Sequence, residues 1–551
     1  MRIKLLILIF AALLTLIVVH SVARIEDKYL QTHAPFFDPL AYQYHQWELW
    51  IKSQHTSRFP LALSELSQTA DSPDPLRTIP VILLNPAWLK DRHAHLITSG
   101  LGLFIFLVLL LYTVHKRTGS LLYAIAAAVV VCAIPGLYNP TDGMGAFWLD
   151  LTAGFYGCSA ALCLINSQQA SKMGWLAGFA ILAGLAFLGR FVSGPYLALQ
   201  CGPILFFYLL VQWRRTRSFF RAVVRPVLLV SAILTFLTGW YLWSEASSMI
   251  YYYATAGYGY QDIWSSTQFI FSSVISFLSA PFSILFAIVA VIQFRLGGPA
   301  KWKDLLESLW LALSVGLFLS LTTTIGLAAH TVQYFIPIAA FAFLCPVDGR
   351  AVQRPRRVIK PMLGLLLLTF GLASFFLNVK ANLWRPPPAQ PTEVDRKLFF
   401  ETLGRRLLTN YPRKVTASYF DAADSWVYAV GIEEFGRAPE QLPDPVFDVH
   451  ESYLSSEFPG KTAAQLVEMA WSQVNEKCDI VLAFNDPETA KKPSPYQDGS
   501  FLNPMSMAIA FEMANPLQPD SNWRKLFVVS SKYIPGGVAA YANLRRFPDH
   551  D

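Results

Sequence analysis

The chain has 551 residues, of which 54% are apolar and only 15% charged, with a net charge of +7 and a mean hydropathy of +0.38. A soluble domain carries about 25% charged residues, and here Lys and Arg sit in short loops between long apolar blocks, not on one solvated face. Together these exclude a string of soluble domains, a disordered or fibrous chain and a nucleic-acid binder, and leave a polytopic α-helical membrane protein.

A spanning helix needs roughly 20 mostly apolar residues to cross a hydrocarbon core about 30 Å thick. Eleven blocks qualify: 3–22, 96–114, 120–138, 147–166, 174–190, 195–213, 226–244, 270–294, 305–326, 332–347 and 361–379. The first has a second reading as a secretory signal, because Ser21-Val22-Ala23 follows a basic start and an apolar run. Either way the loop that follows is expected outside.

Positive charge near a span end is retained in the cytoplasm. One set of loops holds Lys116 and Arg117, Lys172, the run Arg214 to Arg225, Arg295 to Lys303, and Arg350 to Lys360, while the opposite loops around Pro140, Tyr258 and Ala329 hold no Lys or Arg. Arg2 and Lys4 place the start of the chain on the basic side. The expected plan is therefore a first helix (1–23), an extracytoplasmic loop (24–95), helices two to eleven (96–379) and an extracytoplasmic C-terminal domain (380–551). The domain boundary is the run Arg385-Pro386-Pro387-Pro388, which cannot continue a helix.

In that last part, β-like runs at 415–420, 480–484, 526–529 and 538–541 alternate with helical stretches at 463–474 and 505–513, which predicts a small α/β domain. It has no Gly-rich phosphate loop, nucleophile elbow or metal cluster, so a lid, a docking surface or a partner contact is the expected role. Cys132, Cys158, Cys163, Cys201 and Cys345 fall in or beside apolar blocks and Cys478 in a polar one, without disulfide or metal spacing.

Charge within a bilayer costs about 2.5 to 3.5 kcal/mol at a helix centre on insertion scales, so each instance asks for a reason. Asp38, Asp142, Asp150, Arg190, Glu245, Asp262 and His330 all map to the expected outer ends of spans. The plain alternative is an interfacial location among headgroups. Asp38, before Pro39, also reads as a helix N-cap, and Arg190 as a side chain snorkelling to the surface. Tyr251, Tyr252, Tyr253, Tyr258, Tyr260 and Trp264 make the nearby loop ring-rich, as interfacial belts are.

Four segments in order resemble the GT-C superfamily of integral-membrane glycosyltransferases, in the branch of protein O-mannosyltransferases and the lipid A aminoarabinose transferase. They are Asp38 with Tyr42 in the first outer loop, Asp150 opening an apolar helix, the run Gly178 to Arg190, and His330-Thr331-Val332-Gln333-Tyr334-Phe335-Ile336-Pro337. Pro39 stands where that branch has a second acid, and Gln333 where it commonly has Arg. The glycines of the third segment also read as helix packing, because small residues let helices approach.

The resemblance implies a polyprenyl-phosphate sugar donor, an extracytoplasmic lipid, glycan or protein acceptor, inversion at the sugar carbon and an inner-membrane location. It makes Asp38 the candidate base. Arg190, His330 and Tyr334 become donor-phosphate contacts, and Tyr42, Asp142 and Asp150 orient the base or substrate. The metal question stays open, with Mg or Mn compatible with the carboxylates. A secondary transporter, which predicts internal repeats and interrupted helices, and a noncatalytic scaffold with a partner-binding outer domain are the competing readings.

Overall fold

The computed structural model describes residues 2–31, 52–67, 75–140, 143–145, 149–191, 193–255, 263–297 and 356–384, with shorter stretches elsewhere that include five strands between 415 and 543. The helices are α1 (Arg2–Leu30), α2 (Arg58–Ser67), α3 (Pro75–Leu84), α4 (His95–Thr118), α5 (Leu121–Cys132), α6 (Leu149–Asn166), α7 (Met173–Gly189), α8 (Ser193–Thr216), α9 (Arg225–Thr255), α10 (Ile263–Leu278), α11 (Ala280–Gly297) and α12 (Arg356–Trp384). The chain divides into two compact units, one of Met1–Asp27 with Lys52–Pro386 and one of Lys28–Ile51 with Pro387–Asp551.

The first unit is a polytopic helical membrane bundle. Among the described residues, five helical segments are long and apolar enough to cross a bilayer: Arg2–Leu30, Arg92–Thr118, Ser193–Thr216, Phe220–Ser247 and Pro361–Trp384. The expected block 332–347 and most of 305–326 lie outside the described residues. Local chemistry fixes the turns. Gly119, with φ of 71°, closes α4 in the left-handed region, and the Ser120 side chain accepts from the Tyr123 N–H to start α5.

Hydrogen bonds between helices keep the two ends of the bundle distinct. At the basic end, Lys116 on α4 donates to Asn166 on α6 (3.0 Å), and Asn166 donates to Thr113 (2.6 Å). At the opposite end, the Ser99 and Thr152 hydroxyls join the same two helices at 2.7 Å. Glycines bring α7 close to both neighbours: a Cβ on Gly178 would lie 3.3 Å from Cys163 Sγ, and one on Gly184 would lie 3.0 Å from Leu237. The packing reading of that glycine run therefore holds.

Two expected spans differ from the structure. The block 120–138 is helical only over the 12 residues of α5, which rise about 18 Å, and Pro135 starts a 3-10 turn to Tyr138. Irregular backbone at membrane depth is tolerated only where protein satisfies it. Here the Tyr138 hydroxyl donates to Cys132 O (2.6 Å) and Asn378 of α12 donates to Ala133 O (2.9 Å). Gly136 accommodates the Phe277 ring, which leaves no room for a Cβ there.

The block 270–294 is not one rod: α10 and α11 meet at 95°. Ser279 at the joint has φ of +67°, and Pro281 suits the first turn of the new helix. With 18 residues, α11 alone rises about 27 Å.

In the second unit the strands are β1 (Val415–Tyr419), β2 (Phe447–His450), β3 (Ile480–Phe484), β4 (Trp523–Val529) and β5 (Val538–Asn543), in the order β2-β1-β3-β5-β4. The pairs β1·β2 and β1·β3 are parallel, while β3·β5 and β4·β5 are antiparallel. Four strands fall on the expected runs, and β2 is additional. The helical stretches expected at 463–474 and 505–513 lie outside the described residues. Lys397 ties the 28–51 segment to this unit, donating to Leu30 O (2.6 Å) and Gln31 O (2.9 Å).

Candidate functional site

Asp150 lies in the first turn of α6, where the exposed N–H groups of a helix favour an anion. Arg190 caps the far end of α7. Its N–H donates to Ala186 O and its carbonyl accepts from Ser193 N, the first residue of α8. That corner leaves the arginine little freedom. Gly189 passes close to α6, since a Cβ there would lie 3.5 Å from that of Ala153.

The two side chains meet. Arg190 Nε lies 3.3 Å from Asp150 Oδ1, with side chains only 12% and 3% exposed. Snorkelling is therefore corrected: the guanidinium turns into the bundle and neutralises a buried carboxylate. Asp150 Oδ2 and Ser193 Oγ are buried without a hydrogen-bond partner among the described residues. A pair held at this distance by charge, with acceptor capacity left over, can both balance a carboxylate and attract an incoming phosphate.

Glu245 of α9 is also buried. Contacts of Gly184 with Leu237 and Thr238, and of the Phe187 ring with Tyr241 at 6.0 Å, set the register of α7 on α9.

A second charged cluster was not anticipated. Glu26, near the end of α1, is 3% exposed and accepts from Arg92 Nε at 2.8 Å. His93 Nε2 lies 3.6 Å from Glu26 Oε2 and 3.3 Å from Asp27 Oδ1, and His93 Nδ1 lies 3.4 Å from Asp91. The turn at 143–145 rests on this cluster: a Cβ on Gly145 would lie 3.0 Å from Val22 and 3.2 Å from Glu26 Oε2. The available signal was the pairing of Glu26-Asp27 with Asp91-Arg92-His93 at the two ends of the 24–95 loop.

Asp38, Tyr42, Asp142, Asp262, His330 and Tyr334 lie outside the described residues, so Asp150 and Arg190 are the predicted site residues that the structure brings together. Among the described residues no group of three or more His, Cys, Asp or Glu is arranged to hold a metal. Among the described residues Asp150 Oδ1 faces the Arg190 guanidinium, which disfavours a cation on that oxygen.

No protein-family model and no curated protein matches the chain. Solved structures do. ArnT from Cupriavidus metallidurans in the apo state superposes with a TM-score of 0.54 at 12% identity, over 96% of this chain and 97% of that one. The same ArnT bound to undecaprenyl phosphate gives 0.53 at 12% identity, over 97% of each chain. The chain shares the fold of ArnT. The likeness runs almost end to end, so it embraces the helical bundle and the residues beyond the proline linker alike. At this identity it establishes architecture, and the chemistry must be argued from the residues.

Proposed function

We propose that the protein is a GT-C-type glycosyltransferase that moves a sugar from a polyprenyl-phosphate donor to an extracytoplasmic acceptor. The observation that carries the reading is the buried Asp150–Arg190 pair at the end of the bundle opposite the basic loops. It lies within a fold shared almost end to end with a protein solved bound to undecaprenyl phosphate. In this reading the chain sits in an inner membrane with about eleven spans, its 24–95 loop and its α/β domain outside.

The reaction forms a bond from the acceptor oxygen to the anomeric carbon as the bond from that carbon to the phosphate oxygen breaks. The leaving electron pair stays on phosphate, where cations stabilise it. Arg190 supplies that charge, with His330 and Tyr334 as further contacts. The acceptor proton passes to Asp38, on the face of the sugar opposite the phosphate. Tyr42, Asp142 and Asp150 orient base and substrate. A divalent cation such as Mg or Mn would add charge neutralisation at the phosphate, and no step here depends on it.

The transporter reading draws on one feature, the break between α10 and α11. A single broken helix is also compatible with a glycosyltransferase bundle, and the internal repeat that a transporter predicts is not seen in the sequence.

The test is Asp38→Asn at equal expression, followed by mass spectrometry of envelope glycolipids and glycoproteins. General-base loss predicts a fall in transfer of about 10² to 10⁴-fold. Unchanged products would reject the assignment.

A further inference from the structure

Glu26 is one of the buried charges, with Glu65, Arg77 and Glu245, for which the proposed chemistry has no use. It sits in the last two turns of α1, where the helix carbonyls disfavour an anion, and it is removed from water as well. A methionine or leucine would fill the space without either penalty, so what the carboxylate holds must account for it. Oε1 takes the Arg92 guanidinium at 2.8 Å, which fastens the 3-10 turn Arg92–Ala94 leading into α4. Oε2 faces His93 on one side and the place of a Gly145 Cβ on the other. The 143–145 turn is itself closed by Gly143 N on Asn139 O (2.7 Å) and Met144 N on Leu137 O (3.1 Å). Five residues after Gly145 comes Asp150.

We propose that Glu26 is a positioning residue: clamped by Arg92, its carboxylate is the post on which the 143–145 turn rests, and through that turn it sets the start of α6 and the approach of Asp150 to Arg190. This rests on the reading of Asp150 and Arg190 as site residues, and it adds a function for a segment that touches neither. Three lines meet at the post. Arg92 holds it in place, Gly145 is the residue small enough to lie against it, and Val22, one turn earlier on α1, packs beside Glu26 on the same face of that glycine.

The test compares Glu26→Gln, Arg92→Lys and Gly145→Ala in the full-length protein in detergent, by hydrogen exchange and by binding of undecaprenyl phosphate, and in cells by envelope glycolipid and glycoprotein products per folded protein. Glu26→Gln is expected to raise exchange at 143–151 and 91–95 by about tenfold while 103–114 and 155–165 stay at the wild-type rate. Products are expected to fall at least about tenfold with undecaprenyl phosphate affinity within about twofold, a split that general destabilisation would not produce. Gly145→Ala reaches the post from the other side and should match it. Arg92→Lys keeps the charge and should recover most of the products.

Wild-type exchange at 143–151 in Glu26→Gln and Gly145→Ala overturns the proposal. So does an exchange increase spread evenly over the bundle. If Glu26→Gln does not fold, Gly145→Ala and Arg92→Lys decide by the same criteria. A wild-type protein that makes no transfer product sinks the proposed function instead, and the exchange result still judges the post.

Discussion

Asp150 and Glu26 are both carboxylates buried in the same bundle, each facing one arginine, yet they sit at opposite ends of their helices. Asp150 opens α6, so its own helix supports the charge, and one guanidinium at 3.3 Å suffices. Glu26 nearly closes α1, so its helix works against it, and it has gathered an arginine at 2.8 Å together with an imidazole. The contrast teaches that the helix end on which a buried acid stands decides how much outside support it needs. Each acid keeps one oxygen without a hydrogen-bond partner among the described residues, so what separates them is the closer ion pair at Glu26 and not spare acceptor capacity.

The largest effect should come from Arg190→Ala, which leaves Asp150 charged, buried and alone. Breaking such a pair costs about 3 to 5 kcal/mol, read as a lower unfolding midpoint in detergent, and Arg190→Lys should lose less than half of that. An Arg190→Ala protein as stable as wild type would erase the distinction drawn between the two acids. Ser99→Ala is a finer probe, because it removes the 2.7 Å bond to Thr152 behind Asp150. The expected loss is about 0.5 to 1.5 kcal/mol, and exchange at the start of α6 should rise with no change at 91–95.

Ser279→Gly is the smallest and serves as a control at the joint of α10 and α11. A left-handed residue other than glycine costs about 1 to 2 kcal/mol, and glycine returns roughly 0.5 to 1 kcal/mol of that in entropy. A gain of up to about 1 kcal/mol is expected, with both pairs untouched, and Ser279→Val should go the other way. A loss in Ser279→Gly would mean the serine side chain, not the backbone, holds the 95° joint.

Much of this architecture was legible because apolar runs and loop charge are local properties. The blocks at 96–114, 147–166, 174–190 and 195–213 each became a helix with ends close to those expected, and 226–244 became one that runs on to Thr255. The two altered blocks carried their own signals. Pro135 and Gly136 interrupt the third, and Pro281 stands inside the eighth, yet hydropathy averaged over a window passes over a single proline. Strand β2 was missed because Phe447-Asp448-Val449-His450 alternates over only four residues, too few for a period to register.

At the site, Asp150 and Arg190 stood out as isolated charges at the ends of apolar blocks. Their pairing did not, since 40 residues separate them and only helix packing joins them. Glu26 was passed over for a different reason. Followed at once by Asp27 and Lys28, it looked like the ordinary charged margin of a span. Only the return of the chain at Arg92, 66 residues later, makes it a buried post.

The amide of Asn378 on α12, seated on the carbonyl of Ala133, has a consequence for how the helices choose partners. Acyl chains compete with leucine on equal terms, so greasy faces alone cannot tell one helix from another in a bilayer. A redesigned α12 of identical hydropathy but without that amide should still insert and yet find its place less faithfully, because a polar handshake that identifies its neighbour would be gone.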